Sequence, residues 1–137
     1  MQFSIQEFNL PSCISDSIKR QNSCPFGVAL LEFRDCCIGI EVCEELFAGE
    51  NRISDISFAN GAQIIMNASA SAFECGKLSG KLELVKEVAK KNGGFYVYCN
   101  ANGCDGERIL FDGCGFCIAK KGELLCIRKQ IRWKHVD

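Results

Sequence analysis

An α/β domain follows from three features of the sequence. The run from Cys36 to Cys43 alternates, with Ile38, Ile40 and Val42 on one face and Cys37, Gly39 and Glu41 on the other, the period-2 signature of a half-buried strand. Ser71-Ala72-Phe73-Glu74 has the spacing of a helix capping box, and Leu78, Leu82, Val85 and Ala89 follow at helical intervals. Phe95 to Asn100 then returns as a run of aromatic and β-branched residues, so a helix is set between strands.

The 137 residues, 47% of them hydrophobic, suffice for one core and not for two ordinary domains. A net charge of -1 without a long run of one sign gives no purchase on nucleic acid or an anionic membrane, leaving a small molecule or another protein surface as partner. Apolar runs such as Val28 to Leu31 fall far short of the roughly 20 residues that span a bilayer, and the N-terminus has no basic region followed by an apolar one; a soluble, cytoplasmic protein is predicted. The eleven cysteines are odd in number, which argues against a disulfide scaffold. Cys37, Cys99, Cys117 and Cys126 lie in apolar stretches, where a reduced cysteine behaves as a small hydrophobe. With a single CxxC, Cys114 to Cys117, and one histidine, His135, no metal site is predicted.

In chain order, Met1 to Asn9 carries Phe3, Ile5 and Phe8 without a clear period, and Pro11 opens a possible short helix over Ser12 to Gln21. Pro25-Phe26-Gly27 reads as a turn, Val28 to Phe33 as a strand, and Arg34-Asp35 as the link of a hairpin to the Cys36 to Cys43 strand. Ala48 to Ser57 is polar and reads as loop more than helix, although Ile53, Ile56 and Phe58 allow a short amphipathic turn. Ala62 to Met66 has the length of a strand buried on both faces. A helix from Phe73 to Lys91 follows, stopped by Asn92-Gly93-Gly94, then the strand Phe95 to Asn100. Turns at Gly103 to Gly106 and Asp112-Gly113 precede a hairpin of Gly115 to Lys120 with Leu124 to Arg128 across Lys121-Gly122. Gln130 to Asp137 has no strong pattern, and no glycine-rich phosphate loop occurs.

The chemistry concentrates at Cys43. It stands at a strand exit, and if Glu44 and Glu45 open a helix, the unpaired backbone N–H groups there favour a thiolate and an oxyanion. The same residues also fit a buried thiol beside a solvated first helical turn.

Five collinear segments carry a resemblance: Pro25 to Leu31 (P-F-G-V-A-L-L), Cys37 to Phe47 (C-I-G-I-E-V-C-E-E-L-F), Asn67 to Ser71 (N-A-S-A-S), Asn92 to Tyr98 (N-G-G-F-Y-V-Y) and Gly103 to Gly113 (G-C-D-G-E-R-I-L-F-D-G). Together they resemble the amidohydrolase domain of glutamine-dependent NAD synthetases of the eukaryotic type, in the nitrilase superfamily. The resemblance implies part of an α-β-β-α sandwich, with residues 1–137 forming a partial glutaminase domain and the synthetase domain absent. It implies a Glu-Lys-Cys triad with Cys43 as the nucleophile that attacks a glutamine carboxamide, passes through a thioester and releases ammonia for amidation of deamido-NAD. The backbone N–H of Glu44 would hold the oxyanion, its side chain and Ser71 would contact glutamine, and Lys77 stands where bacterial relatives have an arginine, keeping the charge without a bidentate grip. ATP, Mg and deamido-NAD are implied for the synthetase domain and no cofactor for this chain. The implied partners are glutamine, the rest of the domain and of the synthetase, and a homo-oligomer of the parent enzyme. The triad glutamate and lysine have no counterpart in Met1 to Pro25, so the chain alone is expected to be nearly inactive. The alternative expectation is a catalytically dead remnant of the fold that serves as a binding or assembly module.

Overall fold

The computed structural model describes residues 5–18, 21–49 and 52–130. At its centre is a six-stranded mixed sheet in the order Leu124–Ile127, Phe116–Ile118, Phe95–Asn100, Ile64–Ser69, Cys37–Val42 and Leu30–Glu32. Strands β4 (Cys37–Val42), β5 (Ile64–Ser69) and β6 (Phe95–Asn100) are parallel, with Glu41 opposite Asn67 and Asn67 opposite Tyr98. β3 (Leu30–Glu32) pairs antiparallel with β4, the hairpin closing through Phe33 N–H to Cys36 O at 2.8 Å. β9 (Phe116–Ile118) and β10 (Leu124–Ile127) form the expected hairpin on the other side, next to β6.

Two α-helices cover one face. α2 (Ile53–Ala59) follows a 3-10 turn, Cys43–Phe47, and α3 (Lys77–Asn92) joins β5 to β6. Each therefore forms a crossover between parallel strands, the arrangement such strands require. The core gathers beneath them: Ile65, Tyr96, Tyr98, Phe116 and Ile118 from the sheet, Val85, Val88 and Ala89 from α3, and Leu46 from the 3-10 turn. Gly39 and Gly94 let the layers approach. A Cβ at Gly39 would stand 2.7 Å from Ile65 Cδ1 and Ser57 Cβ, and one at Gly94 would stand 1.9 Å from Phe58 Cε1.

Several elements differ from expectation, each for a local reason. The segment 53–59 is a helix although its sequence is polar, because its serines face the sheet: Ser54 and Ser57 are both buried. Ser23–Gly27 (β2) is a strand rather than a turn, pairing with β1 (Ile5–Asn9) in a separate two-stranded ribbon whose margin tolerates Pro25. The helix predicted for 12–21 is the four-residue α1, Ser12–Ser15. The capping box at Ser71 is not used: α3 starts only at Lys77, after Gly76 at φ 80°, and Phe73 N–H instead bonds Leu110 O at 2.7 Å. A short ribbon of β7 (Asn102–Cys104) and β8 (Leu110–Asp112) completes the described elements. The patternless stretch expected after Gln130, with His135, lies outside the described residues.

The alternation in β4 is read inward by its small and polar members. Gly39 and Glu41 face the helices, while Ile40 and Val42 are 41% and 54% exposed. β5 repeats this: Ile65 and Asn67 are buried and Met66 is exposed, so it is covered on one face, not two. Ile40, Val42, Met66, Ala68, Val97 and Cys99 thus belong to an apolar sheet face that no described element covers. The same geometry exposes Cys99 and Cys126; of the eleven free thiols only Cys114 is fully buried.

Candidate active site

The parallel strands end together at one edge, and the chain leaves β4 directly into Cys43. Its φ of 47° is in the left-handed region, unusual for any residue but glycine. The turn is fixed from outside: Val42 N–H donates to Glu45 Oε2 at 2.6 Å, and Leu46 is fully buried, anchoring the far end of the turn in the core. Sharp strand-to-helix turns of this kind hold a nucleophile clear of its own backbone. The helix expected to open at Glu44 and Glu45 is this five-residue 3-10 turn, so the support for a thiolate is a single turn of backbone N–H groups, with the two carboxylates in it.

Cys43, Glu44, Ser71 and Lys77 line one open cavity of about 590 Å³, with Phe47, Tyr98 and the stretch Ser69 to Ala72 completing the wall. Three elements converge here: the 3-10 turn after β4, the segment after β5, and the first residue of α3. Glu44 is the one carboxylate and Lys77 the one amine among the described lining residues. Lys77 Nζ is 2.5 Å from Glu74 Oε1, an exposed i,i+3 pair that draws the amine toward solvent.

Beneath the wall lies a polar layer that the sequence did not signal. Glu41, fully buried two residues before Cys43, accepts hydrogen bonds from Ser54 N–H at 3.1 Å, from Asn67 Nδ2 at 3.2 Å and from the Tyr96 hydroxyl, tying α2, β5 and β6 to the exit of β4. Burial, followed by the adjacent Glu41 carboxylate, pushes the Tyr96 phenol well above its ordinary range, so it remains a donor. On the other flank Lys81 and Asp112, 1% and 0% exposed, face each other at 3.4 Å, and Lys81 Nζ lies 5.4 Å from the centre of the Tyr98 ring. Lys81 falls on the inner side of α3, a position that helical spacing alone assigns to an apolar residue. The Arg108 guanidinium lies 3.6 Å from Asp105.

Burial, and then Asp112, raises the Cys114 thiol; burial, and then Cys126, raises that of Cys117, the opposite of what a reactive CxxC needs. Among the described residues no cluster of three or more His, Cys, Asp or Glu side chains is arranged to hold a metal ion, and no helix is long and apolar enough to cross a membrane.

A mixed sheet with helices on one face is a fold this chain shares with solved carbon–nitrogen hydrolases of the nitrilase type. An amidase of the nitrilase superfamily from Nesterenkonia aligns with a TM-score of 0.64 over 74% of this chain and 37% of its own, at 22% identity. The likeness narrows from there: a glutamine-dependent NAD(+) synthetase from Cytophaga hutchinsonii aligns with a TM-score of 0.74 over 96% of this chain and 19% of its own, at 26% identity. In sequence, the chain is 39% identical over 132 residues to the human glutamine-dependent NAD(+) synthetase and 37% identical over 133 residues to that of Saccharomyces cerevisiae. It spans 96% to 97% of itself in these matches and 18% of the length of either relative. No model of a known protein family matches the chain.

Proposed function

We propose that the chain is a segment of the glutaminase part of a glutamine-dependent NAD synthetase, working in the cytoplasm, with Cys43 as nucleophile. The observation that carries this reading is the convergence of Cys43, Glu44, Ser71 and Lys77 on one cavity at the exit of the parallel strands. Cys43 Sγ, once deprotonated, adds to the carboxamide carbon of glutamine. The tetrahedral oxyanion is held by the backbone N–H of Glu44, and collapse expels ammonia as the nitrogen takes up a proton, leaving a thioester. Water then adds to the thioester, and the thiol and glutamate are released. Ser71, Lys77 and the Glu44 side chain bind the polar ends of glutamine, and this segment needs no cofactor; ATP, Mg and deamido-NAD serve the synthetase reaction elsewhere.

The proton from Cys43 requires a base, and Glu44 is the one carboxylate among the described lining residues. In this reading the triad glutamate and lysine come from a part of the enzyme other than the residues described. Alone, the chain therefore turns glutamine over slowly, since a positioned base contributes roughly 10²- to 10⁴-fold. The uncovered apolar sheet face supports the same reading. Sheets built on parallel strands are normally covered on both faces, and a second β-layer with its own helices would complete an α-β-β-α sandwich here. The similarity to synthetases favours this over a remnant kept only as an assembly module.

The test uses 6-diazo-5-oxo-L-norleucine, a glutamine analogue that alkylates a thiol with loss of dinitrogen. Incubation of the chain with it should add one adduct, at Cys43, in a reaction that saturates and that glutamine slows. Alkylation spread over the exposed thiols without saturation would refute the reading.

A further inference from the structure

Ser71 reaches the cavity from a loop with no regular structure, yet the loop is pinned at three points. Ala101 N–H donates to Ser69 O at 2.9 Å and Phe73 N–H to Leu110 O at 2.7 Å. Between them, Asn100 grips the backbone of Ser71 from both sides: its Oδ1 accepts Ser71 N–H at 2.7 Å, and its Nδ2 donates to Ser71 O at 3.0 Å. The second hydrogen of that amide goes to Asp112 Oδ1 at 2.5 Å.

This last bond decides the orientation of Asn100. A carboxylate accepts and cannot donate, so the NH2 must point at Asp112 and the carbonyl oxygen is left facing Ser71 N–H. The reversed amide would set oxygen against oxygen at Asp112 and N–H against N–H at Ser71. Asp112 is fixed in turn, its Oδ2 facing Lys81 Nζ at 3.4 Å and Gln130 Nε2 at 3.5 Å, with both members of the ion pair buried. A buried charge pair with two settled hydrogen bonds has one arrangement available, and that arrangement is handed through Asn100 to a loop whose residues 69–72 all line the cavity.

We propose that Asn100, held in register by Asp112 and Lys81, is a positioning residue that places the Ser71 segment for a primary carboxamide substrate. The inference rests on the glutaminase reading above and adds to it a determinant of substrate affinity outside the cavity wall. Asn100 is not among the residues that line the cavity of Ser71 and Lys77, and it reaches that cavity through the backbone of Ser71. Its loss should therefore weaken binding and leave the thiol chemistry alone.

The full chain and its N100A, N100D and N100D/D112N variants are labelled with 6-diazo-5-oxo-L-norleucine over a range of concentrations, and separately with iodoacetamide, which needs no recognition. N100A should raise the half-saturating concentration of the analogue about ten-fold, the size of losing one or two hydrogen bonds, while the limiting rate and the iodoacetamide rate at Cys43 stay within about two-fold. N100D sets a second carboxylate against Asp112 and should be worse than N100A; N100D/D112N removes that conflict and should recover part of the loss. Amide hydrogen exchange gives a reading that needs no ligand: N100A should speed exchange at Ser71 and leave β5 and β6 protected.

An unchanged half-saturation in N100A overturns the proposal. So does a uniform rise in exchange across β5 and β6, which would mark Asn100 as merely structural. A wild-type chain labelled without saturation refutes the glutaminase reading and with it the substrate role, and unchanged exchange at Ser71 would then remove the positioning role as well.

Discussion

Glu41→Gln isolates the buried hydrogen-bond node under the cysteine with almost no change in volume. The wild-type side chain accepts three donors on two oxygens: Ser54 N–H on Oε1, and Asn67 Nδ2 with the Tyr96 hydroxyl on Oε2. Glutamine brings one acceptor oxygen and one NH2. With the oxygen at the Oε2 position, the NH2 confronts Ser54 N–H and one buried donor is orphaned; with the amide reversed, two are. A buried donor without a partner costs about 1–3 kcal/mol, so E41Q should lose at least about that much stability, and Glu41→Leu, which orphans all three, about 3 kcal/mol or more. Urea unfolding followed by far-UV circular dichroism measures both, and each kcal/mol should appear as a fall of about 4 °C in Tm. The Tyr96 hydroxyl bonds an ionised acceptor in the wild type and a neutral, weaker one in E41Q, and Tyr96→Phe removes that bond, so E41Q should cost less in that background, with a coupling of about 1 kcal/mol in the double-mutant cycle. E41Q within about 0.5 kcal/mol of wild type, or strict additivity with Y96F, would refute the node.

Lys81→Met leaves Asp112 buried with its cation removed and should destabilise the fold by about 3–5 kcal/mol, read by the same urea titration. Stability should fall as pH rises above about 10. Tyr96 loses its proton there in the unfolded chain but holds it in the folded one, since its folded pKa is raised, so the contribution is complete below the unfolded value and is lost as alkalinity increases. Unfolding midpoints of wild type and Y96F between neutral pH and pH 11 should converge as that contribution disappears. Gly94→Ala drives a methyl group into the Phe58 ring and should lower stability by about 1–3 kcal/mol, whereas Gly80→Ala, with nothing within 4 Å, should be neutral or stabilising in the middle of α3.

The alternation of helix and strand was legible because it rests on local patterns. The alternation of β4, the helical spacing of Leu78, Leu82, Val85 and Ala89, the Gly93 stop and the β9–β10 hairpin are each written within a dozen residues. The position of Cys43 at the end of β4 was legible for the same reason, since a strand exit is a local event. What could not be read are choices made between distant residues. The alternation places Glu41 on the face opposite Ile40 and Val42 without saying that this face is buried, and its partners Asn67 and Tyr96 lie 26 and 55 positions away. Lys81 is buried because Asp112, 31 positions on, neutralises it. The unused capping box at Ser71 has the same origin: Asn100, 29 positions downstream, takes the backbone groups of Ser71 into another arrangement. Local propensity for α2 was likewise overridden, its Ser57 being drawn into the space that Gly39 leaves open.

The left-handed conformation of Cys43 carries a consequence for how this position can change. A side chain there works against its own backbone by about 1 kcal/mol or more, a strain that glycine would not have. Selection for stability alone would move position 43 toward glycine, and a library screened only for folding should drift that way. A thiol at that site therefore stands against the gradient of stability.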